Sequence, residues 1–350
     1  MKVNKQFQNS SLILTITWFI VVVLILSGCS SGVAAEVAAP PTQTSVQLSW
    51  LPTIEFVGFY EATRQGYYAE ENLEVRVDAG GFDESGTYID PVQRVVNGET
   101  DFGVIAADLI LSARAQGQPI VAVANIYQRS PVVLISLGEK NIARPQDLIG
   151  RRIATKPNTS VDIVYNALLT SQNIDHADLI ESPTTDFTVN PLFNDETDVL
   201  LGFITNEGVQ TQVRSDNVNF ILPSDYGIDI YSSVIFTTED MVQNKPDLVE
   251  AFVRATVRGL QWAVDNPTEA ADYVVEQYGK DMPSDVVTTQ HLGLQASLPL
   301  LNPAGSRPGL MTAENWEAAH QILLEEGILK EPLDIEAIYN LTFLEKAYAQ

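Results

Sequence analysis

The sequence predicts an α/β protein built as two α/β units, and three observations carry that expectation. Short β-branched runs alternate with segments of helical period along the chain after residue 45. The alternation restarts near residues 129–130 and changes character again near 230–231. About 305 residues remain from Ser45 onward, enough for two domains of ordinary size.

Taken in order, 46–50 (Val46-Gln47-Leu48-Ser49-Trp50) alternates like a strand, and 58–71 reads as a helix closed by Asn72. A second strand is expected at 73–77, a helix at 88–97 ending on Gly98, and a short strand at 102–105. The stretch 108–116 is a helix with Gly117 as its stop, and 119–126 is a long apolar strand. Strand, helix and strand in this repetition predict a parallel sheet. After the restart, strands are expected at 132–137, 152–154, 199–204 and 220–222, a helical turn at 144–148 and a helix at 160–172. A strand at 233–237 precedes a helix-rich end: 246–265, whose Pro246 suits a first turn, then 267–278, 286–291, 312–326 and 333–338.

The N-terminus reads as a processing segment. Lys2 and Lys5 precede an apolar run over 12–26 broken by Thr15 and Thr17, the layout of a secretory signal. The run is shorter than the roughly 20 residues of a spanning helix. Leu26-Ser27-Gly28-Cys29 ends it, and Cys29 is the single cysteine of the chain, so no disulfide can form within it. These four residues resemble the bacterial lipoprotein signal. The resemblance implies a signal peptide over 1–28, lipidation of Cys29 and anchoring to the outer face of the cytoplasmic membrane through several acyl chains. Residues 29–44 are small, polar and Pro-containing, and read as a flexible tether.

The composition is ordinary at 45% apolar, but the net charge is −25, or −27 once Lys2 and Lys5 are removed. Such a field repels nucleic acid and anionic headgroups. The acids are dispersed and form no calcium-loop pattern. His176, His291 and His320 lie far apart, so no metal-spaced pair exists, and neither a nucleophile elbow nor a phosphate loop is present. An enzyme, a metal and a cofactor are therefore not expected.

Four segments together carry a family resemblance. They are Trp50-Leu51-Pro52 with Gly58-Phe59-Tyr60-Glu61-Ala62 and Gly66-Tyr67-Tyr68-Ala69-Glu70-Glu71-Asn72-Leu73-Glu74-Val75; Gly98-Glu99-Thr100-Asp101-Phe102-Gly103-Val104 with Asp108; Gly117-Gln118-Pro119-Ile120-Val121-Ala122-Val123-Ala124 running into Gln128-Arg129-Ser130-Pro131; and Asp147-Leu148-Ile149-Gly150-Arg151-Arg152-Ile153-Ala154. This set resembles the thiamine-precursor and riboflavin-type periplasmic solute-binding proteins of ABC importers, relatives of the nitrate and sulfonate binders. The resemblance implies the type II two-lobed periplasmic binding protein fold, with lobe one at 45–128 plus 231–350, lobe two at 129–230 and a ligand cleft between them. It implies a membrane permease and its ATPase as partners. A monomer is expected.

Candidate ligand residues follow from the cleft at strand ends. Trp50 can stack on a flat ring, with a core tryptophan the alternative. Glu55 and Tyr60 lie in the next loop and first helical turn, and Tyr60 has packing beneath the helix as its alternative. Asp108 begins a helix, as a cleft residue or a plain cap. Asn158, Thr159 and Ser160 precede a helix start, where amides and hydroxyls grip polar atoms. Asn206 and Glu207 end a buried apolar strand, which costs desolvation unless something pairs with them; a ring N–H or an amine would suit Glu207. Tyr226 and Tyr231 flank the second crossover. An acidic protein with aromatics and a cleft carboxylate suits a neutral or weakly basic nitrogen ring. Riboflavin is the first expectation and the thiamine pyrimidine precursor the second, because Ile54-Glu55-Phe56 stands where binders of that pyrimidine usually carry a histidine. A ligand-sensing module and a pyrimidine-synthesising enzyme are the remaining readings. The chain ends at Gln350 without a signalling module, and it lacks the cysteine-rich segment of those enzymes.

Overall fold

Two five-stranded mixed sheets organise the chain, and each is wound the same way. The structure, a computed structural model, describes residues 39–349. The expected signal peptide, Cys29 and the tether as far as residue 38 lie outside the described residues. The first sheet has the order β2-β1-β3-β10-β4, from β1 (Thr42–Gln47), β2 (Leu73–Asp78), β3 (Phe102–Ile105), β4 (Ile120–Asn125) and β10 (Val234–Thr238). The second has the order β7-β6-β8-β5-β9, from β5 (Val132–Leu137), β6 (Arg152–Thr155), β7 (Ile180–Pro183), β8 (Val199–Phe203) and β9 (Val218–Ile221). The chain passes between the sheets through 126–131 and returns through 222–233.

The sheets are mixed, which corrects the expectation of a parallel one. β1 pairs in parallel with β2 and β3, but β10 runs antiparallel to both β3 and β4. β6 pairs in parallel with β7 and β8, while β5 runs antiparallel to β8 and β9. In each sheet the reversed strand borders a crossing between sheets. Strand and helix alternation reports faces and lengths, and direction is decided by where the chain re-enters.

Two further boundaries shift. β1 begins at Thr42, so 42–44 belong to the sheet and not to a tether: Thr42 pairs with Leu73 and Thr44 with Val75. The strand stops at Gln47, which leaves Ser49 and Trp50 in the turn beyond it. β7 carries a proline and an exposed Ile180 on a sheet edge, so its sequence lacks the alternation that marks the other strands.

β5 shows how one strand serves two faces. Leu134 enters a core with Ile153, Tyr165, Leu168 and Leu201, while Val133 and Ile135 enter the opposite core with Leu192 and Leu200. The first sheet is covered by a larger core that also takes in the C-terminal helices. Helix α1 (Val57–Arg64), helix α2 (Ala107–Ala115), helix α3 (Ser160–Ser171) and helix α4 (Val209–Arg214) follow β1, β3, β6 and β8. Helix α5 (Pro246–Asp265) buries Val249, Phe252, Val253, Thr256, Val257, Leu260 and Ala263, an i, i+3, i+4 stripe. Phe252 lies parallel to Phe102 with ring centroids 3.8 Å apart. Helix α6 (Ser284–Leu301) extends well beyond the expected 286–291.

α1 and α5 meet through glycines. A methyl group on Gly259 would collide with the Gly58 carbonyl oxygen and stand 2.7 Å from the Ala62 nitrogen, and one on Gly58 would meet Leu260 Cγ at 2.5 Å. Gly259→Ala is therefore expected to destabilise the fold by about 2 kcal/mol through overpacking, despite the better helix propensity of alanine. A lowered urea midpoint with an unchanged slope is the outcome to look for; an unchanged or raised midpoint would show that the helices can separate at no cost.

Candidate functional site

A cavity of about 570 Å³ lies between the two sheets. It sits at the carboxyl ends of parallel strands: residues 49–55 follow β1, Ile105 and Ala106 end β3, 156–161 follow β6, and 202–210 end β8 and open α4. The beginning of α6 adds Val286 and Gln290.

The polar floor is built around a buried ion pair. Lys156 Nζ is 3.3 Å from Glu207 Oε1, and the two side chains are 4% and 9% exposed. The other oxygen, Oε2, accepts the Phe203 backbone N–H at 2.9 Å. Residues 204–208 form one wide π turn, which folds Glu207 back on the end of β8. That fold needs Gly202, because a Cβ there would stand 2.8 Å from the Glu207 carboxyl carbon. Glu207 thus has partners inside the chain, Lys156 and the Phe203 N–H, beside the ring N–H or amine that the sequence led us to expect. Lys156 was missed; a lysine within the polar turn Thr155-Lys156-Pro157-Asn158, directly after a buried strand, was the available signal.

Glu55 faces the same floor and accepts the Ser233 hydroxyl at 2.7 Å. Burial pushes its carboxyl up to about 7; the Ser233 hydrogen bond works against the rise and the Glu207 charge adds to it. Gln290 Oε1 accepts the Ile54 N–H at 2.9 Å and ties α6 to the loop carrying Glu55. Asn206, also on the lining, accepts from Gln210 Nε2 at 2.8 Å.

One end of the cavity is aromatic. Trp50 stands edge-on to Phe82 at 5.7 Å and tilted to Phe187 at 5.5 Å; Phe82 lies 5.9 Å from both Tyr88 and Phe187. Trp50, Phe82 and Tyr88 follow strands of the first sheet, and Phe187 follows β7 of the second. The loop bearing Phe82 and Tyr88 is fixed by Asp83, whose Oδ1 accepts from Ser85 N, Ser85 Oγ and Thr87 N at 2.8, 2.6 and 2.9 Å. Lys156 Nζ sits 5.2 Å from the Phe187 ring centre and links floor and aromatic end. Sequence reasoning passed over Phe82, Tyr88 and Phe187 because loops carry no period.

Of the expected ligand residues, Trp50, Glu55, Asn158, Thr159, Ser160, Asn206 and Glu207 all line the cavity. Thr159 caps α3 by accepting from Asp162 N at 3.3 Å, and Asn158 takes a left-handed conformation with φ 64°. Four expected residues stand elsewhere. Tyr60 is buried beneath α1 with its ring 4.3 Å from that of Tyr278. Asp108 is buried behind the lining and accepts Ser160 Oγ at 2.7 Å, a hydrogen bond from one sheet's helix to the other's. Burial pushes this carboxyl up to about 6, against the pull of the Ser160 hydrogen bond. Tyr226 packs on the second-sheet core, and Tyr231 is buried with its hydroxyl oxygen accepting from Thr312 N at 3.1 Å. Aromatic helix and crossover positions went to packing because their apolar rings had a core within reach.

Residues 53–270 match the family described as NMT1/THI5 like. The chain belongs to the NMT1/THI5-like family. It is similar to a riboflavin-binding protein of Chloroflexus aurantiacus, 28% identical with 94% of this chain and 97% of the relative covered. It is similar to a formylaminopyrimidine-binding protein of Halalkalibacterium halodurans, 25% identical with 96% and 98% covered. A 4-amino-5-hydroxymethyl-2-methylpyrimidine phosphate synthase of Legionella pneumophila is 23% identical with 87% and 92% covered. Among solved structures, the periplasmic aliphatic sulphonate binding protein of Escherichia coli superposes with a TM-score of 0.66 at 12% identity, covering 85% of this chain and 96% of that one. The NMT1/THI5-like chain thus has the two-lobed periplasmic binding protein fold, and the cavity lies between its lobes. No helix among the described residues is long and apolar enough to cross a membrane.

The raised Glu55 carboxyl has a consequence for stability. The folded state holds this proton to about pH 7, while the unfolded chain releases it near 4.5, so the folded state binds more protons in that window and stability falls as pH rises through it. Glu55→Gln is expected to remove this contribution, giving a smaller drop in urea midpoint between about pH 5 and about pH 8 than the parent chain shows. Equal drops in both proteins would mean that Glu55 ionises freely.

Proposed function

We propose that this chain is the substrate-binding component of an ABC-type importer, that it captures a flat nitrogen heteroaromatic vitamin or precursor, and that riboflavin is its ligand. The observation that carries the reading is the aromatic end of the cavity, where Trp50 of one lobe and Phe187 of the other stand 5.5 Å apart above a polar floor. A conjugated ring lays one face against this aromatic cluster and turns its heteroatom edge to Glu55, Asn206 and Gln290. Asn158, Thr159, Ser160 and Glu207 complete the proposed contacts. Hinge motion of the two lobes would part Trp50 and Phe187 to admit the ring.

The similarity to a protein named as a riboflavin binder supports this ligand, and the formylaminopyrimidine-binding relative supports a thiamine pyrimidine precursor as the alternative. The proposed place of work is the outer face of the cytoplasmic membrane, with Cys29 lipidated and a permease with its ATPase receiving the cargo. The chain is proposed to bind without converting its ligand, as those two relatives are named to do, whereas the Legionella relative is named for a synthesis.

Titration of the purified protein with riboflavin and with an aminopyrimidine, followed by tryptophan fluorescence and calorimetry, tests the reading. Tight, saturable riboflavin binding is expected, weakened about tenfold by Trp50→Ala, the size of one aromatic contact. Absence of saturable binding of either compound defeats the vitamin reading, and recovery of a chemically altered ligand defeats the binding-only reading. Cys29→Ser is expected to move the exported protein from the membrane fraction to the soluble one; retention on the membrane would exclude Cys29 as the anchor.

A further inference from the structure

The charge arrangement around the cavity bears on which chemical form of the ligand can enter. Among the described residues lining it, the charged side chains are Glu55, Lys156 and Glu207. The single cation is already engaged: Lys156 is 3.3 Å from Glu207 and almost fully buried. Glu207 is satisfied on its other oxygen by the Phe203 N–H. Glu55 has the Ser233 hydroxyl as its partner and lies within the field of Glu207.

The other feature that would welcome an anion is the start of α3, where backbone N–H groups and the helix dipole converge. The side chains at that place are engaged within the chain. The carboxyl of Asp108, carried by α2 of the opposite lobe and fully buried, takes the Ser160 hydroxyl at 2.7 Å, and Thr159 takes the Asp162 N–H. A phosphate monoester carries a charge of about −1.5 to −2 at neutral pH. Inside this cavity it would lose its water, meet no uncommitted cation, and lie near the carboxyl groups of Glu55 and Glu207 in a chain whose net charge is −25.

We infer that the cleft selects the dephosphorylated, uncharged form of its vitamin ligand, with the closed Lys156–Glu207 pair and Glu55 as the residues that reject the phosphate ester. The inference rests on the vitamin reading and deepens it. It also fixes the order of reactions around uptake. A phosphate ester outside the cell must first undergo hydrolysis, in which water replaces the ester oxygen on phosphorus and leaves a free alcohol and inorganic phosphate. Phosphoryl transfer back to that alcohol belongs to a step after import.

The test compares two alcohol and ester pairs on the full chain: riboflavin with riboflavin 5′-phosphate, and 4-amino-5-hydroxymethyl-2-methylpyrimidine with its phosphate. For whichever alcohol binds, the ester is expected to bind at least about 100-fold more weakly, the scale of an uncompensated charge in a dry site. Glu207→Gln leaves Lys156 a free cation, and is expected to narrow the gap at least about tenfold by strengthening ester binding. Glu55→Gln, which keeps the ion pair, narrows it in the same direction above about pH 7, where Glu55 is ionised, and serves if the first variant does not fold. An ester that binds the parent protein as tightly as its alcohol overturns the inference and leaves the vitamin reading standing. A gap unchanged in both variants overturns the assignment to these residues. If neither alcohol binds, the vitamin reading fails and the inference fails with it.

Discussion

The ion pair between Lys156 and Glu207 is the constraint on which the site depends. It joins the ends of two neighbouring parallel strands, β6 and β8, within one lobe. Removing either partner would leave the other charge in a nearly dry place, an arrangement that costs several kcal/mol. The pair in turn dictates its surroundings. Gly202 has no side chain because the Glu207 carboxyl lies where one would be, residues 204–208 open into a wide turn to carry Glu207 back, and Phe187 lies under the Lys156 ammonium. Part of the aromatic end is therefore oriented by the polar floor.

The two lobes contribute unequally. The first supplies Trp50, Phe82, Tyr88 and Glu55, and the second supplies the ion pair, Phe187, Asn206 and the start of α3. Neither set encloses a ligand alone. α6 adds a third element, since Gln290 holds the backbone of Ile54 and a methyl group on Gly293 would stand 2.7 Å from the Thr205 carbonyl oxygen. This helix touches both lobes at once, so its packing bears on the angle between them.

Much of the fold was legible because the signals were local. Pro246 and Pro267 mark helix starts that the structure reproduces at Pro246–Asp265 and Pro267–Tyr278, and the apolar run of β5, interrupted by Ser136, marks a strand buried on both faces. Strand direction was not legible, because β10 and β5 are reversed by the path of the chain between sheets and not by their own residues. β7 was lost to its proline and edge position. In the site, Trp50, Glu55, Asn158 and Asn206 could be placed because they lie just beyond strand ends, a position that topology brings to the cavity. Lys156 was hidden by its neutral-looking turn. Glu207 was found without its partner Lys156, since a pair 51 residues apart in sequence has no local mark. Tyr60 and Tyr231 show the reverse error: polar-tipped rings, one in a first helical turn and one beside a crossover, looked available, and the core took them.

The insertion of β10 between β3 and β4 has a consequence for how the chain comes to be folded. The second sheet is continuous in sequence and can close as soon as Ile221 is available, whereas the first holds an open slot until Val234–Thr238 arrives. Ile105 and Asn125 both wait for Val234, with the entire second lobe synthesised in between. Such long-range pairing makes the contact order of the first lobe high and its assembly slow. A chain emerging N-terminus first thus carries the exposed edges of β3 and β4 until late, and any fragment cut after the second lobe would own every strand of the first sheet except the one that joins its two parts.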